Sequence, residues 1–492
     1  MAAMVAIATA GQDKREGDIS DSFASLAGVK DKPLPDQFRQ LKLSLVEARE
    51  EKVIASWNRL LEQLKVENDI VAELGPKVIP EVQFNDLDKN ISEIKDTIQK
   101  RGAAVIRGVI PEDEARGYKT ELEEYIRKNP QTKGFPQNDP QVWELYWSAP
   151  QFRARLHPNF IRVQKALMQS TWHISDPKSL VSISQPLSYA DRLRIRQPGD
   201  AAFALGPHMD GGSVERWLRE GYGRGGTYDA VFEGEWDTEY DPWDASPRID
   251  AVNDLYNGLG ACSVFRMFQG WLSMSTVGPR EGTLLVNPLL KLATSYTLLR
   301  PFFRPKSTVD LDVHKGGSPE RERFLDPENW EFTAGEAMSS EIPGATPGFG
   351  MEFPELSKHP HLELDRTMVH IPQVRPGDFV VWHCDTIHAV DFEHKGKTDS
   401  SVLYIPVCPI TEINAEYVRR MREAWRDGTP GPDFPGGRGE SEHVDRPTEQ
   451  FLRSVAGEDG LASVGLEPLR EPVDGSDGQK DVVRRANSIL GF

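Results

Sequence analysis

Residues 376–390 read PGDFVVWHCDTIHAV. A Pro-Gly-Asp turn opens a short apolar run, Phe379 to Trp382, rich in β-branched and aromatic residues, and two histidines follow. Such a run, bounded by turn residues and too short for a helix, reads as a strand crossing a core. Working outward, further runs have the same character: DRLRIRQPG (191–199), CSVFRMFQGWLSMSTVG (262–278), GTLLVNP (282–288), MVHIPQV (368–374) and SSVLYIPVCP (400–409). They are not interleaved with regular helices, which disfavours a doubly wound parallel sheet and favours an antiparallel sandwich or jelly roll. The fold class expected is mainly β with flanking helices (α+β), a cupin-like double-stranded β-helix.

The bulk numbers narrow the function classes. The chain has 492 residues, 38% hydrophobic and 27% charged, with a formal net charge of −18. That acidity argues against nucleic acid as a partner, because phosphate binding needs a basic footprint. No run approaches the length of a membrane span. The first residues, MAAMVAIATAG, lack a basic n-region, so no secretory or mitochondrial leader is expected. Three cysteines, Cys262, Cys384 and Cys408, make no disulfide framework and favour a reducing, cytoplasmic setting. Oligomeric state is left open.

The chain divides into three expected regions: 1–95, 96–410 and 411–492. Residues 1–35 are polar and expected to be loosely ordered. From Phe38 to about Leu74 the spacing of Val53, Trp57, Leu60, Leu61 and Leu64 predicts a helix packing on the main domain. The stretch ISEIKDTIQKRGAAVIRGVIPEDEARGYKTELEEYI (91–126) reads as helix, strand and helix, the last opening with acids in its first turn. Two long inserts, 218–258 and 301–366, interrupt the strands and are expected to line or cover a pocket. Beyond 411 the pattern is helical. GYGRGG at 221–226 matches a dinucleotide-binding string but lacks the strand before it and the helix after it.

Four H-x-[DE] pairs occur: His208–Asp210, His361–Glu363, His383–Asp385 and His443–Asp445. With 11 His and 76 acidic residues in the chain, roughly two are expected by chance, so context must choose. On a strand, residues i and i+2 share a side, so each pair could present imidazole and carboxylate together. The pairs at 361 and 443 lie in polar or Pro-flanked stretches and read as surface pairs. His208–Asp210, before the Gly211–Gly212 turn, would sit at a strand end. With His388 as a distant third ligand, two His and one carboxylate would form the open triad of non-haem Fe(II) oxygenases. In a regular strand His388 faces away from His383.

At these motifs a resemblance emerges. Residues of about 100–410 resemble the phytanoyl-CoA-dioxygenase-like branch of the Fe(II)/2-oxoglutarate-dependent oxygenases. The whole chain is more similar to a fungal and bacterial family of unassigned function. RGAAVIRGVIPEDEARGYKTELEEYI resembles the superfamily's opening strand and helix, GWLSMSTVGPREGTLLVNP its middle segment, and GDFVVWHCDTIHAV the strand with the distal His. The resemblance implies His208, Asp210 and His388 as iron ligands and catalytic residues, His383 as a strand-interior neighbour, and 2-oxoglutarate and O2 as co-substrates.

One feature of that pattern is missing. The distal carboxylate of 2-oxoglutarate should meet a cation, preferably an arginine for its bidentate fork, commonly some residues past the distal His. Here that window reads TDSSVL. Substitute candidates are Arg196 first, then Arg194, with Lys397 and Ser401 (or Ser400) behind them; Gln269 and Trp271 alternate on the middle strand. The plain reading of Arg192, Arg194 and Arg196 is an amphipathic strand whose arginines face water, with Leu193 and Ile195 in the core. The function expected is a non-haem Fe(II)- and 2-oxoglutarate-dependent oxygenase acting on a small molecule. Its rivals are a metal-binding jelly-roll enzyme that does not use 2-oxoglutarate and a non-catalytic scaffold of the same fold.

Overall fold

The computed structural model describes residues 14–17 and 34–492, so the expectation for residues 1–35 falls mostly outside it. The strands that build the site are β1 (Ala103–Arg107), β2 (Leu193–Arg196), β3 (Met209–Asp210), β4 (Phe268–Ser273), β5 (Leu284–Val286), β6 (Met351–Glu352), β7 (Val369–His370), β8 (Phe379–His383), β9 (His388–Val390) and β10 (Ser400–Tyr404). The FVVWH run is β8, buried at all five positions and paired antiparallel with β1 and β4. Beyond β4 come β10 and β2, and short strands at both edges complete an eight-stranded sheet. A smaller sheet runs β7–β5–β9. Reciprocal 2.9 Å backbone hydrogen bonds between His208 and His388 join β9 to β3, which pairs with β6. From β2 to β5 the chain alternates between the large and the small sheet, and from β7 to β10 it does so again.

Burial explains why β8 is apolar throughout. Its outer face, with Phe379 and Val381, packs on helices α3 (Leu87–Arg101) and α4 (Pro158–Thr171); the Phe160 and Phe379 rings are 4.4 Å apart. Its inner face, with Val380 and Trp382, joins Val105 and Trp271 in a core shared with Val286 and Val369 of the small sheet. A strand covered on both faces shows no polar alternation. The architecture is mixed α+β. No described helix is long and apolar enough to cross a membrane.

The helical stretch from Phe38 is two helices, α1 (Gln37–Val46) and α2 (Glu50–Leu74), broken at Ala48 with φ 59°. Val53, Trp57, Leu60, Leu61 and Leu64 are all buried, as their spacing predicts. They pack on the main domain as expected, and much of what they meet there belongs to the two inserts. Both inserts pack on α2: Trp57 stacks on Phe303 at 4.2 Å, Trp236 Nε1 donates to the Ser56 carbonyl at 3.1 Å, and Arg59 pairs with Asp237 at 2.8 Å. Of the expected pocket-covering inserts, 218–258 contributes no residue to the central cavity and 301–366 contributes only Gly350 and Met351. Large apolar side chains in the inserts needed a partner, and α2 supplies it. Trp57→Ala should cost about 3–5 kcal/mol, read from the urea midpoint, because the hole among these rings cannot close. A loss within 1 kcal/mol would contradict this packing.

Candidate metal centre and its cavity

The turn after β3 places the first two candidate ligands. Gly211 and Gly212 have φ of 84° and 97°, where a side chain is strained, and a Cβ on Gly212 would lie 2.9 Å from the Asn253 carbonyl. The chain therefore turns sharply just past Asp210. The ladder contact between His208 and His388 sets their rings 4.0 Å apart, centre to centre. His208 Nε2 lies 3.8 Å from Asp210 Oδ1, and His388 Nε2 lies 3.8 Å from Oδ2. One donor atom from each of the three residues falls within 4.8 Å of the others.

Hydrogen bonding on the far side of each ring fixes what faces inward. His208 Nδ1 is 2.8 Å from the Gly206 carbonyl and His388 Nδ1 is 3.0 Å from the Thr386 carbonyl. A carbonyl only accepts, so each Nδ1 carries the proton and each Nε2 offers a lone pair. Burial, followed by the neighbouring His208, drives His388 down to about 3, so it is neutral at physiological pH. Burial alone would raise Asp210; His208, His388 and Arg266 outweigh it and hold the carboxyl below the usual aspartate value. Two imidazole lone pairs and a carboxylate thus converge with no hydrogen bond between them. That donor set fits a divalent cation, and the carbonyls behind the histidines are the usual outer support of such ligands.

The pair beside it in sequence has another use. His383, Cys384 and Asp385 also lie close together. His383 Nε2 faces the Pro242 carbonyl at 2.9 Å and its ring stacks on Trp172 at 4.8 Å, away from the cavity. Asp385 accepts from Arg216 (2.8 Å), Arg248 (2.6 Å) and Tyr228 (2.9 Å), which leaves it spent as a ligand. Arg216 also donates to the Asp210 main-chain carbonyl at 2.7 Å.

Two surface readings are corrected. His361 is 5% exposed, bonded to Tyr296 Oη and the Leu325 carbonyl, and Glu363 is buried among Arg321 and Arg366. Pro-flanked loops read as exposed from sequence, but α2 covers this one. His443 is likewise buried, 3.3 Å from Tyr125 Oη, whereas Asp445 is exposed and pairs with Lys128.

The triad opens into a cavity of about 180 Å³. Arg194, Gln269, Trp271 and Ser400 line it. The water-facing reading of the arginines is overturned: Arg194 is 5% and Arg196 0% exposed. Arg196 does not line the cavity. It donates to Asp200 Oδ2 (2.7 Å) and to the carbonyls of Asp200, Asp391 and Phe392, so its fork is already committed. Lys397 is exposed and outside the lining, and Ser401 is turned to Asp399. The charge that alternation placed in water is thus split between an internal ion pair and the cavity wall. Sequence reasoning missed Arg266, Tyr404 and Trp382, which also line the cavity. Arg266 precedes β4 in irregular backbone, where period-two alternation gives no signal.

The family model described as Gig2-like matches residues 32–466. The chain is 30% identical over 374 residues to an uncharacterised Escherichia coli (strain K12) protein, YbiU, covering 73% of this chain and 80% of that one. Among solved structures it is similar to GIG2 (GlcNAc Inducible Gene 2, DUF1479) of Candida albicans. That match has TM-score 0.79 and 31% identity, with 94% of this chain and 97% of that one covered. It is also similar to a Salmonella typhimurium LT2 protein that carries a provisional oxidoreductase label. There the TM-score is 0.71 and the identity 28%, over 88% of this chain and 99% of that one. With most of its length matched, this chain belongs to the Gig2-like family.

Proposed function

We propose that this protein is a non-haem Fe(II)- and 2-oxoglutarate-dependent oxygenase of a small molecule, built on a double-stranded β-helix. The observation that carries the reading is the convergence of His208 Nε2, His388 Nε2 and the Asp210 carboxylate, with both Nδ1 atoms committed to carbonyls. The alternation of strands between two sheets supports the fold, and the oxidoreductase label of the Salmonella relative agrees with the reaction class. Iron held by these three ligands would supply redox chemistry with O2 and leave positions for a chelating 2-oxo acid.

The remaining residues hold and shield. Arg194 is the proposed partner of the distal carboxylate. It stands opposite Val402 of β10, the strand where the resemblance looks for its arginine, so a neighbouring strand fills the same seat. Although burial brings its guanidinium down to about 10, it stays cationic at neutral pH. Trp382, its ring 5.0 Å from His388, and Trp271 pack beside the ligands and limit water there.

The direct test is succinate release from 2-oxoglutarate by the Fe(II)-loaded protein. Arg194→Met should raise the 2-oxoglutarate requirement at least about tenfold, the effect of losing a charge-assisted hydrogen bond, with metal affinity little changed. Metal binding without any succinate would favour a metal enzyme of another kind. Absence of metal binding would favour a scaffold.

A further inference from the structure

We infer that the substrate of this cavity is itself an anion, a carboxylate-class molecule with one negative charge, held by Arg266. The inference rests on the reading of Arg194 as the 2-oxoglutarate partner and adds to it the identity of the second ligand.

Charge balance comes first. Arg192, Arg194 and Arg266 line the cavity against two carboxylates, Asp191 and Asp210. The protein therefore brings a surplus of one positive charge. A divalent ion on the triad raises the surplus to three, and 2-oxoglutarate, a dianion, removes two. One positive charge is left over, and an uncompensated charge in a buried site is costly. Burial also raises Asp191, which can only enlarge the surplus.

Hydrogen-bonding capacity points the same way. Buried polar atoms of the wall that lack a partner include Gln269 Nε2, Trp382 Nε1 and Arg194 Nε, all donors, together with the Thr283 hydroxyl. Apart from the Asp210 carboxylate, which faces the candidate metal position, no fully buried side-chain carboxylate or carbonyl oxygen of the wall is left unpartnered among the described residues. Unmet buried donors cost about 1–3 kcal/mol each, so the wall selects a ligand rich in acceptors.

Arg266 is the wall cation whose guanidinium approaches a candidate metal ligand. Its guanidinium is 3.8 Å from Asp210 Oδ2, too long for a hydrogen bond, and it sits 5.8 Å from the Tyr189 ring centre. Its side chain is 12% exposed, so it faces the cavity and not bulk water. That location, beside a candidate metal ligand, would hold an oxyanion next to the metal. Arg194 donates through Nη2 to Gln141 and to the Phe203 carbonyl, and its unpartnered Nε is left for the co-substrate.

Calorimetric titration of the full chain loaded with Ni(II) and 2-oxoglutarate decides this, using benzoate against its neutral isostere benzamide. Benzoate should bind at least about tenfold more tightly, the expectation for one charge-assisted contact. Arg266→Met should cut that preference below about twofold, Arg266→Lys should retain part of it, and Arg194→Met should leave it in place while weakening 2-oxoglutarate. Equal affinity for benzoate and benzamide in the unaltered protein would overturn the inference. So would benzoate binding that 2-oxoglutarate abolishes, since a single anion site would then serve both. If 2-oxoglutarate does not bind at all, the co-substrate reading fails by itself. The same pair titrated into the Ni(II) protein alone then decides the anion site: a preference sustains it and its absence overturns it. Should Arg266→Met fail to fold, the lysine variant and the benzoate–benzamide comparison remain decisive.

Discussion

Asp210→Ala is expected to weaken divalent-metal binding by at least about a hundredfold, measured by Ni(II) titration or equilibrium dialysis. Losing residues that merely support a ligand typically costs 10–100-fold, and in the proposed centre Asp210 is a ligand and the only anion of its set. Without it, two imidazoles would face Arg266 with no carboxylate to offset the guanidinium. The fold should survive, because what ties β3 in place is main chain: the His208–His388 ladder bonds and the bond from Arg216 to the Asp210 carbonyl. His388→Ala should behave similarly. The control is Asp385→Asn, which removes a carboxylate of the same motif type and unpairs Arg216 and Arg248, yet should cost far less metal affinity than Asp210→Ala. If Asp385→Asn and Asp210→Ala lose metal equally, the assignment of the two clusters is wrong.

The second large effect concerns stability. Arg216→Met should destabilise the protein by about 3–5 kcal/mol, read from chemical denaturation, because it strands buried charge. Arg216 is 2% exposed and bonds Asp385, Tyr228 and the Asp210 carbonyl, so one side chain joins both segments that carry the proposed ligands. Burial alone would raise Asp385; Arg248 and Arg216 overcome it and hold the carboxyl far below the aspartate range. A depressed folded value means that this contribution is present above the unfolded pKa and is lost as pH falls through the acid range. The gap between wild type and Arg216→Met should therefore narrow on acidification. Glu352 is the counter-case. It lies 3.5 Å from Arg216 without a hydrogen bond, and burial pushes it up to about 8, so its carboxyl is largely protonated at neutral pH. Its contribution is present in acid and lost as pH rises through about 8. Glu352→Gln should consequently cost less than about 1 kcal/mol at pH 7, since it replaces a neutral group by a neutral isostere. A loss as large as that of Arg216→Met would mean that Glu352 is ionised.

Much of the strand content was legible because short apolar runs between turn residues have few alternatives. FVVW, TLLV and SVLY each became strands, and the α2 spacing of Val53, Trp57, Leu60 and Leu64 identified its buried face. Both patterns are local: a period of two or of 3.6 needs only neighbouring residues to be read. The proposed ligands could be selected by motif and resemblance for the same reason.

What the arginines of LRIR do was decided only by tertiary structure. Leu193 and Ile195 alternate with Arg194 and Arg196, and alternation tells which residues share a face but not which face meets water. Here both faces are covered, so Arg196 is consumed by Asp200 and three carbonyls while Arg194 enters the cavity. The same limit hid the partner of the inserts, the buried state of His361 and the place of Arg266. Sequence alone determined the periodic elements and the motif types in this protein. Tertiary structure decided which polar groups the folded core turns toward one another, because pairing a buried charge depends on residues more than a hundred positions away, as for Arg216 and Asp385.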